Sequence, residues 1–314
     1  MNRLNSLSDL TPMKESLVIS LFLIFALLSC EQANIDPQSE PDQEITPEEE
    51  ENHNYFLKIG NSLGYECSDI EMYDSSTHIL YFKTLHPEFD KLKNESFSFF
   101  VNGDTIYKGY FWPSFFSSLP SGPYISTYPL FHKTFALCID NRGSSKPDLR
   151  NDPRLIRALK DRNLLHSGLL LTVNSIDCKS TQITFSFSIT NKDQSALLIL
   201  DPEKTGLSIF HYFTNGLIIR NVTTTGPYIT VRINPQTPSP WNGWKSEWLT
   251  RMATDETKTF IIDYPIDFPL SPGAYNVYFE YPGLHFQVSK EELQQNNGRI
   301  WLGSLEGRKD FVIR

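Results

Sequence analysis

Residues 181–190 read TQITFSFSIT. Ile183, Phe185, Phe187 and Ile189 alternate with serine and threonine, so every second side chain is apolar. A period of two marks a strand with one face buried and one face wet, the pattern of an antiparallel sheet. Asn191, Lys192 and Asp193 follow at once and supply turn chemistry. Working outward from this strand, residues 166–314 hold further short apolar runs separated by turn signals. They are Leu169–Val173, Ala196–Leu200, Ser208–Tyr212, Leu217–Val222, Tyr228–Ile233, Thr257–Tyr264, Tyr275–Tyr281 and Arg299–Gly303. Short strands at this spacing predict an antiparallel β-sandwich.

Residues 54–165 read as a small α+β domain. His78–Phe82 is a short apolar strand. Phe97–Val101 and Thr105–Phe111 flank Asn102-Gly103, a dipeptide that readily takes the positive φ angles of a two-residue hairpin turn. A Pro/Gly/Ser-rich loop follows over Pro113–Pro123, and Leu130–Ile139 is another strand. The helix expected here spans residues 152–162, with Asp152 as N-cap, Pro153 at the first helical position, and Leu155, Ile156 and Leu159 as its apolar stripe.

The first 53 residues have a different character. Residues 17–30, LVISLFLIFALLSC, form an apolar run too short for a spanning helix, which needs about 20 residues. The length suits the apolar region of a signal peptide. Its ending, Leu27-Leu28-Ser29-Cys30, resembles the lipobox of bacterial lipoproteins. The resemblance implies that residues 1–29 are removed and that the Cys30 thiol carries a diacylglycerol. Residues 31–52 then hold nine acids, no base, and Pro37, Pro41 and Pro47. Such a composition cannot offset its ordering entropy and predicts a disordered tether over residues 30–53. Fully extended it reaches ~70 Å. Acids just after a lipidated cysteine resemble the export signal of surface lipoproteins of Bacteroidetes. The localisation implied is the bacterial outer membrane, with the body facing outward and a periplasm-facing body as the alternative.

The chain carries 37 acids and 28 bases, a formal net charge of −9. The tether takes nine of the acids, and the leader holds two of each sign. Residues 53–314 are therefore balanced, which argues against nucleic acid as a partner. Of four cysteines, Cys67, Cys138 and Cys178 remain beside Cys30. An odd set allows at most one bridge, Cys67–Cys138 or Cys138–Cys178, or none. No Cys/His spacing fits zinc, and no cofactor is expected.

The segments FSFSITNKD, LLILDP, PLSPGAYNVYFEYPG, GRIWLGSL and FVIR, in that order, resemble immunoglobulin-like modules of bacterial envelope proteins. The resemblance implies an immunoglobulin-like sandwich over residues 166–314 and carries no activity with it.

Three constellations invite a functional reading. Trp241, Trp244 and Trp248 lie within eight residues after a Pro-rich stretch. Exposed indoles stack on sugars and fill protein hot spots, so these three are the candidate ligand contacts. The alternative is packing against the sandwich. His211 lies in a run read as a strand, where a lone histidine is more often a structural hydrogen-bonder. Asp193, Asp201 and Glu203 are loop carboxylates of the kind that bind calcium or shape turns. There is no G-x-S-x-G, H-E-x-x-H, P-loop or G-x-G-x-x-G. The expectation is a non-catalytic, membrane-anchored protein displaying a surface for a protein or glycan. Two alternatives remain: an envelope or polysaccharide hydrolase using Asp201 or Glu203, and a structural subunit of an outer-membrane complex.

Overall fold

A computed structural model describes residues 55–314, apart from residues 93, 114–115, 117, 119, 128–133, 142–146, 224–227, 242, 268 and 285–287. The leader, Cys30 and the tether lie outside the described residues. Residues from Asn52 to Arg314 cluster as one compact unit, and the described part of it is mainly β. Among the described residues no helix is long and apolar enough to cross a membrane.

The decisive strand is Gln182–Asn191. Ile183, Phe185, Phe187 and Ile189 are all fully buried, as their alternation predicts. This strand sits between Leu169–Cys178 and Thr257–Pro265, both antiparallel to it. A four-stranded sheet follows in the order Ile229–Val231, Leu217–Asn221, Gly273–Pro282 and Ser304–Ile313. The two sheets pack face to face through aromatic rings. Phe185 and Phe187 lie 5.0 and 4.9 Å from Phe279, and Phe187 lies 5.9 Å from Tyr281. A third sheet joins Leu249–Met252, Leu197–Leu200, Gly298–Ile300 and Gln294–Gln295.

The earlier part of the chain builds a five-stranded sheet around the hairpin Ser96–Val101/Asp104–Trp112. Asn102 and Gly103 take φ of 53° and 85°, as a two-residue turn of this kind requires. The helix Pro153–Asp161 starts where expected, with the Asp152 carboxylate accepting from the Arg154 amide at 2.8 Å. Its buried stripe is Leu155, Ala158 and Leu159, with Ile156 only half-buried.

A four-stranded sheet ties these parts together: Ala136–Cys138, Ile79–Phe82, Ile70–Asp74 and Leu165–His166. Tyr73, Leu80 and Phe82 enter the core shared with the helix, whereas Met72, Ile79 and Tyr81 enter the core shared with the packed sheets. A sheet buried on both faces needs continuous rather than alternating apolar residues, which is why residues 79–82 read ILYF.

One expectation is corrected, and one open alternative is decided. Ser208–Tyr212 is not a strand but lies in the helix Leu207–Phe213. Leu207, Phe210 and His211 fall at helical spacing, and Phe210 and His211 are buried. Asp201 N-caps the preceding short helix Pro202–Thr205, and Gly206, at φ 74°, separates the two. Cys67 and Cys138 form no disulfide. Cys67, Cys138 and Cys178 all remain half-buried thiols, and the Cys138 thiol points at the Thr77 carbonyl at 3.8 Å.

Candidate functional site

The sequence-predicted residues are dispersed. Trp248 closes a short turn at Ser246–Trp248 and is 6% exposed within the core. Trp244 is half-buried against the same core, and Trp241 is 62% exposed. The three indoles therefore do not share one open surface. His211 is buried: its Nδ1–H donates to the Leu207 carbonyl at 2.7 Å and its Nε2 meets the Tyr264 hydroxyl at 3.1 Å. Asp201 is buried and receives Lys258 Nζ at 2.6 Å, the Glu203 amide at 2.9 Å and the Thr250 hydroxyl. Glu203 binds the same lysine at 3.1 Å. Asp201 and Glu203 thus brace a turn and share one cation.

Asp193 belongs to a different constellation, built where the two cores meet. Strand Leu165–His166 runs parallel to Ile70–Asp74 and sets His166 beside Asp74. After strand Gln182–Asn191 the chain turns sharply. The Asn191 side-chain oxygen accepts from the Asp193 amide at 2.9 Å, and the Asp193 carboxylate accepts from the amide and hydroxyl of Ser195 at 2.9 and 2.8 Å. His166 Nδ1 donates to the same carboxylate at 3.0 Å. Strand Gly298–Ile300 runs parallel to Leu197–Leu200 and delivers Arg299 from the other side. Its guanidinium Nη2 donates to Asp74 at 3.1 Å and to Asp193 at 3.4 Å. Nη1 reaches the Tyr81 hydroxyl at 3.5 Å, and the guanidinium stands 5.4 Å from the centre of that ring. Arg299 is 2% exposed and both carboxylates are fully buried.

Burial alone would raise the Asp193 carboxyl. Hydrogen bonds from His166 and Ser195, with the charge of Arg299, hold it well below the usual carboxylate range instead. Gly168 makes the close approach that the cluster needs. A Cβ there would stand 2.1 Å from the Ser76 hydroxyl and 2.3 Å from the Asp74 carboxylate, and its φ is 62°.

A pocket of about 570 Å³ opens above this cluster. Glu71, Met72, His166 and Ser195 line one side, and residues 294–299 line the other. That second wall is a hairpin whose turn residues, Asn296 and Asn297, take φ of 48° and 54°. The volume falls within the ~300–1,000 Å³ typical of small-ligand sites. His166 keeps Nδ1 on Asp193, while its Nε2 makes no hydrogen bond to any described residue. Sequence reading singled out Asp193 but missed Arg299 and His166. The available signal was a charged residue inside an apolar strand, GRIW, which has to find a counter-charge if it points inward.

A second polar cluster surrounds His78, which is 8% exposed. The Tyr73 hydroxyl and its Nδ1 share a hydrogen bond at 2.8 Å, and Asp148 and Arg150 pair beside it at 2.7 Å. Burial, then the nearby Arg150 charge, lowers its pKa from 6.5 to about 4. The unfolded chain binds a proton below pH 6.5 that the folded chain refuses until about pH 4. The contribution is complete above pH 6.5 and declines as the pH falls. The expected loss is about 2 kcal/mol between pH 7 and pH 5. Urea melts across that range should show this slope reduced in His78→Asn. Equal slopes in the two proteins would show that His78 is not its source.

Among the described residues no group of three or more His, Cys, Asp or Glu side chains is placed to hold a metal. No protein-family model and no curated protein matches the chain. Among solved structures, a beta-glucosidase from Kluyveromyces marxianus in complex with glucose aligns at 10% identity with a TM-score of 0.23. The alignment covers 46% of this chain and 14% of the enzyme, and the selenomethionine-labelled form of that enzyme gives the same figures. This chain thus spans a small part of the enzyme's length, and a likeness of that size carries no argument about either fold or activity.

Proposed function

We propose that this chain is a non-catalytic envelope protein of bacteria, anchored through a lipid on Cys30 and holding a protein or glycan ligand. The sequence of residues 17–52 supports the anchor and its tether. The two packed sheets, with their alternating aromatic faces, support reading residues 166–314 as immunoglobulin-like. The observation that carries the binding reading is the pocket above Arg299. Its charges are already paired with one another, and its open wall consists of side-chain amides, a set suited to holding a ligand.

The test uses the full chain, solubilised from membranes, on arrays of envelope glycans and proteins. Gln294 is exposed on the pocket wall, so Gln294→Trp blocks the opening without touching the core. Binding by the wild type that weakens at least tenfold in Gln294→Trp is the expected result. Binding unaffected by the tryptophan, or consumption of the bound material, would refute the reading. Mass spectrometry of the mature chain tests the anchor separately, through diacylglycerol on Cys30.

A further inference from the structure

We infer that the pocket between Ile70–Asp74 and the hairpin of residues 294–300 takes an uncharged saccharide, one of whose hydroxyls donates to Nε2 of His166. The inference rests on the reading above that this pocket holds a ligand. It follows from what each polar group has left to offer.

A carboxylate can only accept, so of the two His166 tautomers only the one with its hydrogen on Nδ1 satisfies Asp193 at 3.0 Å. In that tautomer Nε2 is a lone pair. The ring lines the pocket, its side chain is 15% exposed, and no described residue donates to that nitrogen. Ser195 also lines the pocket, and its hydroxyl proton is directed to Asp193 at 2.8 Å, which leaves oxygen lone pairs. Glu71 adds a carboxylate that is paired with Lys290 at 2.5 Å. This side of the pocket therefore accepts, and a ligand must bring donors.

The facing hairpin carries Gln294, Gln295, Asn296 and Asn297, whose amides both donate and accept. A sugar hydroxyl does the same, so neighbouring hydroxyls can donate to one wall and accept from the other.

Charge narrows the class further. An anion would meet the acceptors of His166, Ser195 and Glu71; the Arg299 guanidinium is matched through Nη2 by two carboxylates, and its unpartnered Nε is buried with no accessible surface. A cation could not reach the negative charge of Asp74 and Asp193, because both are fully buried. An extended peptide would need apolar recesses for alternate side chains. Apart from the glycine at 298 and the hydrocarbon parts of polar side chains, the lining offers only Met72 and Ala196.

The experiment is calorimetric titration of the full detergent-solubilised chain against a neutral glycan array, followed by matched trisaccharides. The matched set is chitotriose as the neutral probe, trigalacturonate as the anion and chitosan triose as the cation, with an uncharged pentapeptide beside them. Binding of a neutral glycan that weakens at least tenfold in both Gln294→Trp and His166→Phe supports the inference. Gln294→Trp leaves the buried cluster intact, so it keeps the test valid if His166→Phe fails to fold. Preference for the anion, the cation or the peptide overturns the inference, and so does silence across the whole neutral array. If the preferred charged probe or peptide is itself lost in Gln294→Trp, the pocket reading survives while the saccharide assignment falls. A neutral glycan that binds Gln294→Trp as well as wild type overturns both.

Discussion

Replacing Arg299 by methionine is expected to destabilise the protein by about 3–5 kcal/mol, because it leaves two buried carboxylates without their cation. Methionine retains much of the length and apolar volume of the arginine stem, so the loss reports charge more than packing. Asp74 and Asp193 are both fully buried, and Arg299 donates to each. Removing it forces one carboxylate to take up a proton or the sheet to open to water. The same logic predicts a rescue. With Asp74→Asn and Asp193→Asn added, nothing charged is left stranded, and most of the stability should return. Urea unfolding of the single and triple variants decides the matter. A loss under about 1 kcal/mol in Arg299→Met would mean that water already reaches the cluster.

Phe187→Ala is the second large effect, again about 3–5 kcal/mol. Phe187 has no exposed surface, and its ring lies 5.6 Å from Phe185, 5.2 Å from Phe260, 4.9 Å from Phe279 and 5.9 Å from Tyr281. These rings come from both sheets, so neither sheet can close over the gap without moving as a whole. The urea midpoint should fall with the slope unchanged, since the surface exposed on unfolding stays the same. Phe187→Leu fills part of the space and should lose clearly less. Equal losses for alanine and leucine would show that the site collapses freely.

The parts of the fold that depend on local pattern were legible in the sequence. Ile183 to Ile189 alternate, Asp152-Pro153 opens a helix and Asn102-Gly103 closes a hairpin, and each fixes its own backbone within a few residues. Ser208–Tyr212 reads as a strand because SIFHY fits either period when its neighbours are unknown, and burial of Phe210 beside His211 settles it as part of the helix Leu207–Phe213. The candidate site was legible only in fragments. Asp193 stood out as a loop carboxylate, but it was grouped with Asp201 and Glu203, which are close in sequence and turn to Lys258 instead. Its actual partners are His166, 27 residues before it, and Arg299, 106 residues after it. Pairings at that separation are set by how sheets stack, and no short motif records them. The indoles do not gather on one surface for a similar reason. Their proximity along the chain says nothing about which side of the sheet each one meets.

The separation of 225 positions from Asp74 to Arg299 bears on biosynthesis. A polypeptide emerging from its N-terminus carries both carboxylates of the cluster long before it has the cation that neutralises them. The same late hairpin also brings one wall of the pocket. Chains interrupted anywhere between residues 194 and 298 should thus lack affinity and solidity together, so that only finished copies are both durable and able to bind.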